Sequence, residues 1–281
     1  MLKFLVILFL VLFVQNETIA QRNAELSILS WNVFLRPAIL NDGQLDRVDS
    51  IVKYLENSNA DILVLQEVFH KKARRKLTKQ LKKEYYYSTK MGKKSFWGIS
   101  SGVVIFSKHK ILKEKHVAFK SATGSDKMAR KGGVSSIIEF FNTKIQIIGT
   151  HLQAGKGPKR ENIRKKQLRK LKSIEDTTVV ASIYAGDFNI ENSTIPFGQM
   201  IESLNCDNIN TSGILKKTSN FSDQKLYPTT GKAKWIDFIL LRKNKNSKLK
   251  KSRIEEPKSK IKGRLSRLSD HNPIISTVVL L

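Results

Sequence analysis

This chain predicts an α/β fold of packed sheets with helices outside, and three observations carry that reading. Most apolar residues fall in short runs of strand length, bounded by turn residues. Two segments read as helices, one of them strongly basic. The polar residues that stand out, carboxylates, amides and histidines, sit at or just beyond the C-terminal ends of the apolar runs, where packed sheets can assemble a site.

The elements follow in order. A lysine at position 3, an apolar run over residues 4–14 and a polar stretch ending at Ala20 predict a secretory signal peptide over residues 1–20, with the mature chain beginning near Gln21. The apolar run is shorter than the roughly 20 residues that a membrane-spanning helix needs. "ELSILSWNVF" (25–34) alternates as a strand does, and "QLDRVDSIVKYLENSN" (44–59) places Val48, Ile51, Val52 and Leu55 on one helical face. "ADILVLQEVF" (60–69), "GVVIFSK" (102–108) and "KIQIIGTHLQ" (144–153) are strands. "RENIRKKQLRKLKSIED" (160–176) is the basic helix, followed by strands in "TVVASIYAGDFNI" (178–190), "KWIDFILLR" (234–242) and "DHNPIISTVVLL" (270–281).

No Pro/Gly/Ser-rich linker and no internal repeat divides residues 21–281, so they predict one domain, read as a monomer, with enough length for a substantial core. Cys206 is the single cysteine, which excludes an internal disulfide framework, and its absence from the position directly after the predicted cleavage site argues against a lipidated anchor. Lys and Arg total 51 against 24 Asp and Glu, a net charge of +27, which predicts either a polyanionic partner such as nucleic acid or an anionic membrane surface, or a solubilising surface.

The polar residues at the strand ends are Asn32, Glu67, His151, Asp187, Asn189, Asp237, Asp270 and His271. Singly, each has an ordinary use in a turn, a cap or a solvated strand end. Together they suit metal-assisted phosphodiester hydrolysis. A hard cation such as magnesium takes carboxylate and amide oxygens, which Glu67, Asn32 and Asp270 offer. In-line attack also needs a base for water, positive charge on the phosphoryl oxygens and help for the departing alkoxide; two histidines and several polar side chains meet those needs, and an imidazole whose partner is a carboxylate is a suitable base.

Six pieces in order, "SWNV", "LQEVF", "GTHLQA", "AGDFN", "WIDFILL" and "LSDHNP", resemble the endonuclease/exonuclease/phosphatase superfamily, which includes pancreatic deoxyribonuclease and the abasic-site endonucleases. Within it, "HLQA", Phe69 two residues past Glu67, Gly102 before its strand, "RKGG" with Lys131, and "GQLDR" with Gln44 and Arg47 resemble the secreted bacterial sphingomyelinases C and their neutral eukaryotic relatives. The resemblance implies a four-layer sandwich of two central mixed sheets flanked by helices. It also implies roles: Glu67 as principal magnesium ligand assisted by Asn32, Asp270 in the metal and water network, and His271 as general base oriented by Asp237. Asp187 and Asn189 would position water and phosphoryl oxygens, His151 would donate to a phosphoryl oxygen or the leaving group, and Phe69 and Lys131 would contact substrate. Magnesium is the implied cofactor, with manganese or cobalt as substitutes.

The chain departs from those relatives before its last motif. They carry an aromatic-rich hairpin there, whereas residues 242–267 hold twelve basic and two acidic residues and no aromatic. Electrostatic adsorption is the expected substitute, each basic residue contributing up to about 1 kcal/mol before screening. The cluster "EYYYSTKMGKKSFWG" (84–98) is a second candidate for lipid contact, or a half-buried loop. The cysteine pair of some relatives is absent. Three functions fit: an exported or periplasmic phosphodiesterase of sphingomyelinase C type acting at a membrane surface, a magnesium-dependent nuclease, and a non-catalytic basic module that binds anionic surfaces.

Overall fold

A computed structural model describes residues 24–92, 95–96, 99–207, 213–219, 221 and 232–281. The predicted signal peptide lies outside the described residues, as does Trp97 of the aromatic cluster.

The first half of the chain supplies β1 (Glu25–Leu35), α1 (Gln44–Asn57), β2 (Ile62–Val68), α2 (Lys71–Leu81), β3 (Tyr87–Ser88), β4 (Val104–Ser107), β5 (Ile111–Ala118) and β6 (Gly132–Phe140). The second supplies β7 (Thr143–His151), α3 (Pro158–Lys172), β8 (Ala181–Asp187), α4 (Ile195–Leu204), β9 (Asp237–Leu241), β10 (Ser247–Ile254), β11 (Lys258–Ile261), β12 (Arg264–Arg267) and β13 (Ile274–Leu280). A six-stranded sheet runs β10-β13-β1-β2-β4-β3 and a five-stranded sheet β5-β6-β7-β8-β9, both mixed.

Strand alternation stacks the layers. On β1, Leu26 and Ile28 join the core between the sheets, while Leu29, Trp31, Val33 and Leu35 pack toward α1 and α2. The α1 face of Val48, Ile51, Val52 and Leu55 closes that side, as its period predicts. On the other side Leu168 and Leu171 of α3, with Phe197, Met200 and Leu204 of α4, cover the five-stranded sheet. Helix, sheet, sheet, helix is the four-layer sandwich that the resemblance implies.

Two helices escape the sequence reading. In α2 only Ala73, Leu77 and Leu81 are buried, at a spacing of four among Lys and Arg, and His70 caps its start by accepting the Ala73 N–H at 3.1 Å. In α4, Thr194 accepts the Phe197 N–H at 3.3 Å ahead of Pro196 in the first turn. The basic stretch 242–267 also gains structure: β10 becomes the edge of the six-stranded sheet, and β11 pairs with β12 as a separate hairpin. Lysines on an edge strand oppose pairing with another sheet. No helix among the described residues is long and apolar enough to cross a membrane.

Candidate active site

The site forms where strand ends of both sheets meet. In the five-stranded sheet, His151 lies opposite Asp187 in the parallel β7–β8 pair, and Asp187 opposite Asp237 in the antiparallel β8–β9 pair. The register therefore sets imidazole, carboxylate and carboxylate in one row on one face. Gly186 allows the close packing there: its φ is 151°, and a Cβ at that position would lie 2.0 Å from the Thr150 carbonyl oxygen. From the six-stranded sheet come Asn32 near the end of β1, Glu67 near the end of β2, and Asp270 and His271 just before β13.

These ends are not relaxed strand. The β1–β2 register shifts between Asn32 and Leu35, and Phe34 and Glu67 take φ of 50° and 56°. Left-handed backbone at a phenylalanine and a glutamate costs on the order of 1–3 kcal/mol each, and such strain gathers at functional sites. Ser269 holds the two ends together by donating to the Asn32 carbonyl at 2.6 Å and accepting the His271 N–H at 3.1 Å. Trp31 Nε1 donates to the His271 carbonyl at 2.9 Å.

The His271 ring reaches across to the other sheet. Its Nδ1 donates to Asp237 Oδ2 at 2.8 Å, and its Nε2 stands 3.8 Å from Asp187 Oδ2. Asp237 is fully buried. Burial lowers the His271 pKa, but Asp237, Asp270 and Asp187 outweigh it, and the net shift is well upward. The same carboxylates favour the imidazolium, so His271 accepts a proton at Nε2 only in its neutral form, whose tautomer the Asp237 bond to Nδ1 fixes.

His151 has the opposite environment. Lys131 Nζ donates to His151 Nε2 at 3.0 Å and to the Leu152 carbonyl at 2.9 Å, and Asp126 pairs with Lys131 at 3.0 Å. Burial first, then Lys131 and His271, push the His151 pKa well below the ordinary value, so this imidazole is neutral at neutral pH. Its Nε2 also lies 3.3 Å from Asp187 Oδ2, while Nδ1 has no partner among the described residues.

Four carboxylates crowd the same space. Burial, then Asp270, raises Glu67; burial, then Asp237, raises Asp187; burial also raises Asp270. Asp187, Asp237 and His271 bring one ligand atom each within 4.8 Å of one another. Oxygen donors in this density fit a hard divalent cation. Asn32 presents its amide nitrogen to Glu67 Oε1 at 3.2 Å and to Asp187 Oδ2 at 3.3 Å, with Oδ1 accepting the Phe34 N–H at 3.2 Å. Metal ligation by Asn32 requires the flipped amide, which gives up the Phe34 bond.

Eight of the ten predicted site residues line one cavity of about 440 Å³, with Asn32 and Asp237 buried behind it. The Phe69 ring forms a wall against Gly102, whose φ is 72° and whose Cβ, if present, would fall 2.4 Å from that ring. Asn189 lines the cavity with its amide nitrogen donating to the Leu152 carbonyl at 3.2 Å. Sequence reasoning missed Asp126, in a 3₁₀ turn over Gly124–Lys127, Arg36, in the loop after β1, and Lys234, at the head of its strand segment; all three line the cavity. The aromatic cluster divides: Tyr85 is buried with its hydroxyl on the Ala60 carbonyl, whereas Tyr86 and Phe96 are exposed. His109 and His116 lie outside the cavity beside Asp61 and Glu114.

Residues 29–271 match the Endonuclease/Exonuclease/phosphatase family. A phospholipase C of Staphylococcus aureus is 30% identical over 252 residues, which cover 79% of this chain and 75% of that protein. A sphingomyelinase C of Bacillus cereus is 27% identical over 310 residues, covering 94% of this chain and 92% of that protein. Among solved structures, a double mutant of Staphylococcus aureus beta toxin with bound magnesium ions superposes with a TM-score of 0.78 at 26% identity, over 90% of this chain and 99% of that one.

Proposed function

Because this chain belongs to the endonuclease/exonuclease/phosphatase family and is a phosphodiesterase, we propose that it is exported, works as a monomer at a membrane surface, and hydrolyses sphingomyelin to ceramide and phosphocholine with magnesium as cofactor. The observation that carries this reading is the convergence of the His271–Asp237 pair, the Lys131–His151 pair and the Glu67–Asp270 carboxylates on one cavity, in a chain resembling proteins named phospholipase C and sphingomyelinase C.

In the proposed reaction a water oxygen bonds to phosphorus and the bond from phosphorus to the ceramide oxygen breaks. His271 Nε2 takes the proton of that water, while Asp237 holds Nδ1 and stabilises the imidazolium. Asp187 and Asn189, fixed to each other by the Asn189 N–H on Asp187 Oδ1 at 2.9 Å, orient the water and the phosphoryl group. Lys131 brings positive charge to the phosphoryl oxygens; for His151 to donate to a phosphoryl oxygen or to the departing ceramide oxygen, its Nε2 must release the Lys131 bond and carry the ring proton. Glu67, Asp270 and a flipped Asn32 would hold the cation, which when bound withdraws charge from the phosphate and eases departure of the alkoxide. Phe69 forms the substrate-facing wall. The basic residues of 242–267 attract the chain to anionic surfaces.

Hydrolysis in 18O-enriched water tests the chemistry. The label should enter phosphocholine and leave ceramide unlabelled; label in ceramide, or no phosphocholine in the presence of magnesium, would defeat the proposal. The net charge of +27 is the observation that favours a nuclease, so cleavage of plasmid DNA is the competing outcome.

A further inference from the structure

The base of the proposed site is assembled from two sheets. Asp237 opens β9 in the five-stranded sheet and His271 stands just before β13 in the six-stranded one, so their 2.8 Å bond depends on how the two sheet ends are held together. β9 ends its strand order, with β8 on one edge and no strand of the sheet on the other. Segment 217–219 meets the start of that open edge. Ser219 forms antiparallel bridges to Lys234 on one side and to His271 on the other. None of the sequence motifs that mark the site includes this segment.

Thr218 is the centre of this segment and is fully buried. Its Oγ1 accepts the Ile236 N–H at 3.0 Å and the Asp237 N–H at 3.2 Å, and its own N–H donates to the Lys234 carbonyl at 2.7 Å. Its carbonyl accepts the N–H of Asn272, the residue after His271, at 2.7 Å. Asn272 closes the arrangement by donating from Nδ2 to the Lys217 carbonyl at 3.3 Å, and Arg267 Nη1 donates to Asn272 Oδ1 at 3.0 Å. One residue thus holds the backbone of Asp237 through its side chain and the backbone beside His271 through its carbonyl. Any residue supplies the carbonyl, whereas the acceptor on Asp237 is the hydroxyl itself. Without it two buried N–H groups lose their acceptor, and the start of β9 must shift to recover one.

We propose that Thr218 is a positioning residue for phosphodiester hydrolysis, its hydroxyl fixing the start of β9 so that Asp237 Oδ2 meets His271 Nδ1 and His271 Nε2 faces the attacking water. The role rests on the reading of His271 as general base. Ser219 lines the cavity and Thr218 stands buried behind it, so the hydroxyl acts on the geometry of the reacting groups and not on substrate binding. A displacement of about 1 Å at such a pair can cost on the order of a hundredfold in rate.

Thr218→Val keeps the shape of the side chain and removes the acceptor, and Thr218→Ser keeps the acceptor. On dispersed short-chain sphingomyelin with magnesium, Thr218→Val should lower kcat at least about tenfold and leave KM within about twofold of the parent, and Thr218→Ser should restore most of the rate. In an Asp237→Asn background the valine should cost no more than about a further twofold, because the contact it disturbs is already lost. The low-field proton resonance of the His271 ring N–H, identified by its loss in His271→Ala and read in chelator without substrate, should shift or broaden in Thr218→Val and return in Thr218→Ser. Should Thr218→Val not fold, Thr218→Cys, whose sulfur is a weak acceptor, carries the same comparison. An unchanged resonance and rate in the variant lacking the hydroxyl, a serine variant as slow as the valine one, or full additivity with Asp237→Asn would overturn the proposal. The resonance is read without turnover, so a chain in which it depends on Thr218 but sphingomyelin stays intact refutes the substrate assignment and keeps the positioning role.

Discussion

Around His271, side chains are fixed by sheet register, buried to within a few per cent and bonded to one another across two sheets. Along β10 to β12, lysines and arginines stand on an edge strand and a detached hairpin, with ion pairs mainly at exposed positions such as Lys250–Glu25 and Arg253–Glu255. The contrast concerns how each region fails. Removing one member of the buried constellation strands a partner in low dielectric, so its effect is large and local. Removing one exposed charge subtracts a small, salt-screened term, and several must go before the loss is evident.

The comparison breaks hardest at Glu67. Glu67→Gln should abolish nearly all magnesium-dependent phosphocholine release while the circular dichroism spectrum is kept. It should also raise the melting temperature in chelator, because it removes one of two mutually repelling carboxylates. A mutant that is both active and less stable would show that Glu67 holds no cation.

His271→Ala and His151→Ala should each lower turnover by about 10²–10⁴. Asp237→Asn should cost less than His271→Ala and act at the same step, so a double variant should fall no further than His271→Ala alone. Additive losses would show that the two residues do not form one unit.

Gly186→Ala asks whether register itself matters. The new Cβ meets the Thr150 carbonyl oxygen inside the β7–β8 pair, so stability should fall by about 1–3 kcal/mol, with turnover lost as the His151–Asp187 row is displaced. Denaturant unfolding measures the first effect and phosphocholine release the second.

On the basic edge, neutralising Lys248, Lys250 and Lys260 together should weaken adsorption to vesicles containing anionic lipid, and less so as salt rises. Hydrolysis of a dispersed short-chain substrate should barely change. Loss of that activity in proportion to adsorption would erase the distinction between the two regions. The smallest effects on turnover belong to the three remaining histidines. His70→Ala should cost about 0.5–2 kcal/mol of stability through its lost cap and leave turnover near the parent value, and His109→Ala and His116→Ala should do still less.

What the sequence makes legible follows from pattern strength. Buried strands such as 62–68 and 181–187 announce themselves by mostly apolar runs, and site residues by their position at the ends of those runs. α2 hides because three apolar residues among many lysines and arginines give little contrast, and β10 to β12 because alternation among charges resembles no alternation at all. The left-handed backbone at Phe34 and Glu67 has no sequence signature of the glycine kind. The neutral state of His151 and the partnership of Lys131 with Asp126 are products of tertiary packing, since the three sit on separate elements that meet only when the sheets close. The burial of Arg47 on the carbonyls of Val33, Phe34 and Leu268 is illegible for the same reason.

The most direct measurement offers the mature chain sphingomyelin vesicles and plasmid DNA in parallel, in one magnesium buffer, each repeated in chelator. Phosphocholine should be released only with magnesium, and the plasmid should stay supercoiled under conditions that exhaust the sphingomyelin. Efficient degradation of the plasmid with sphingomyelin left intact would contradict the account and assign the same strand-end site to nucleic acid.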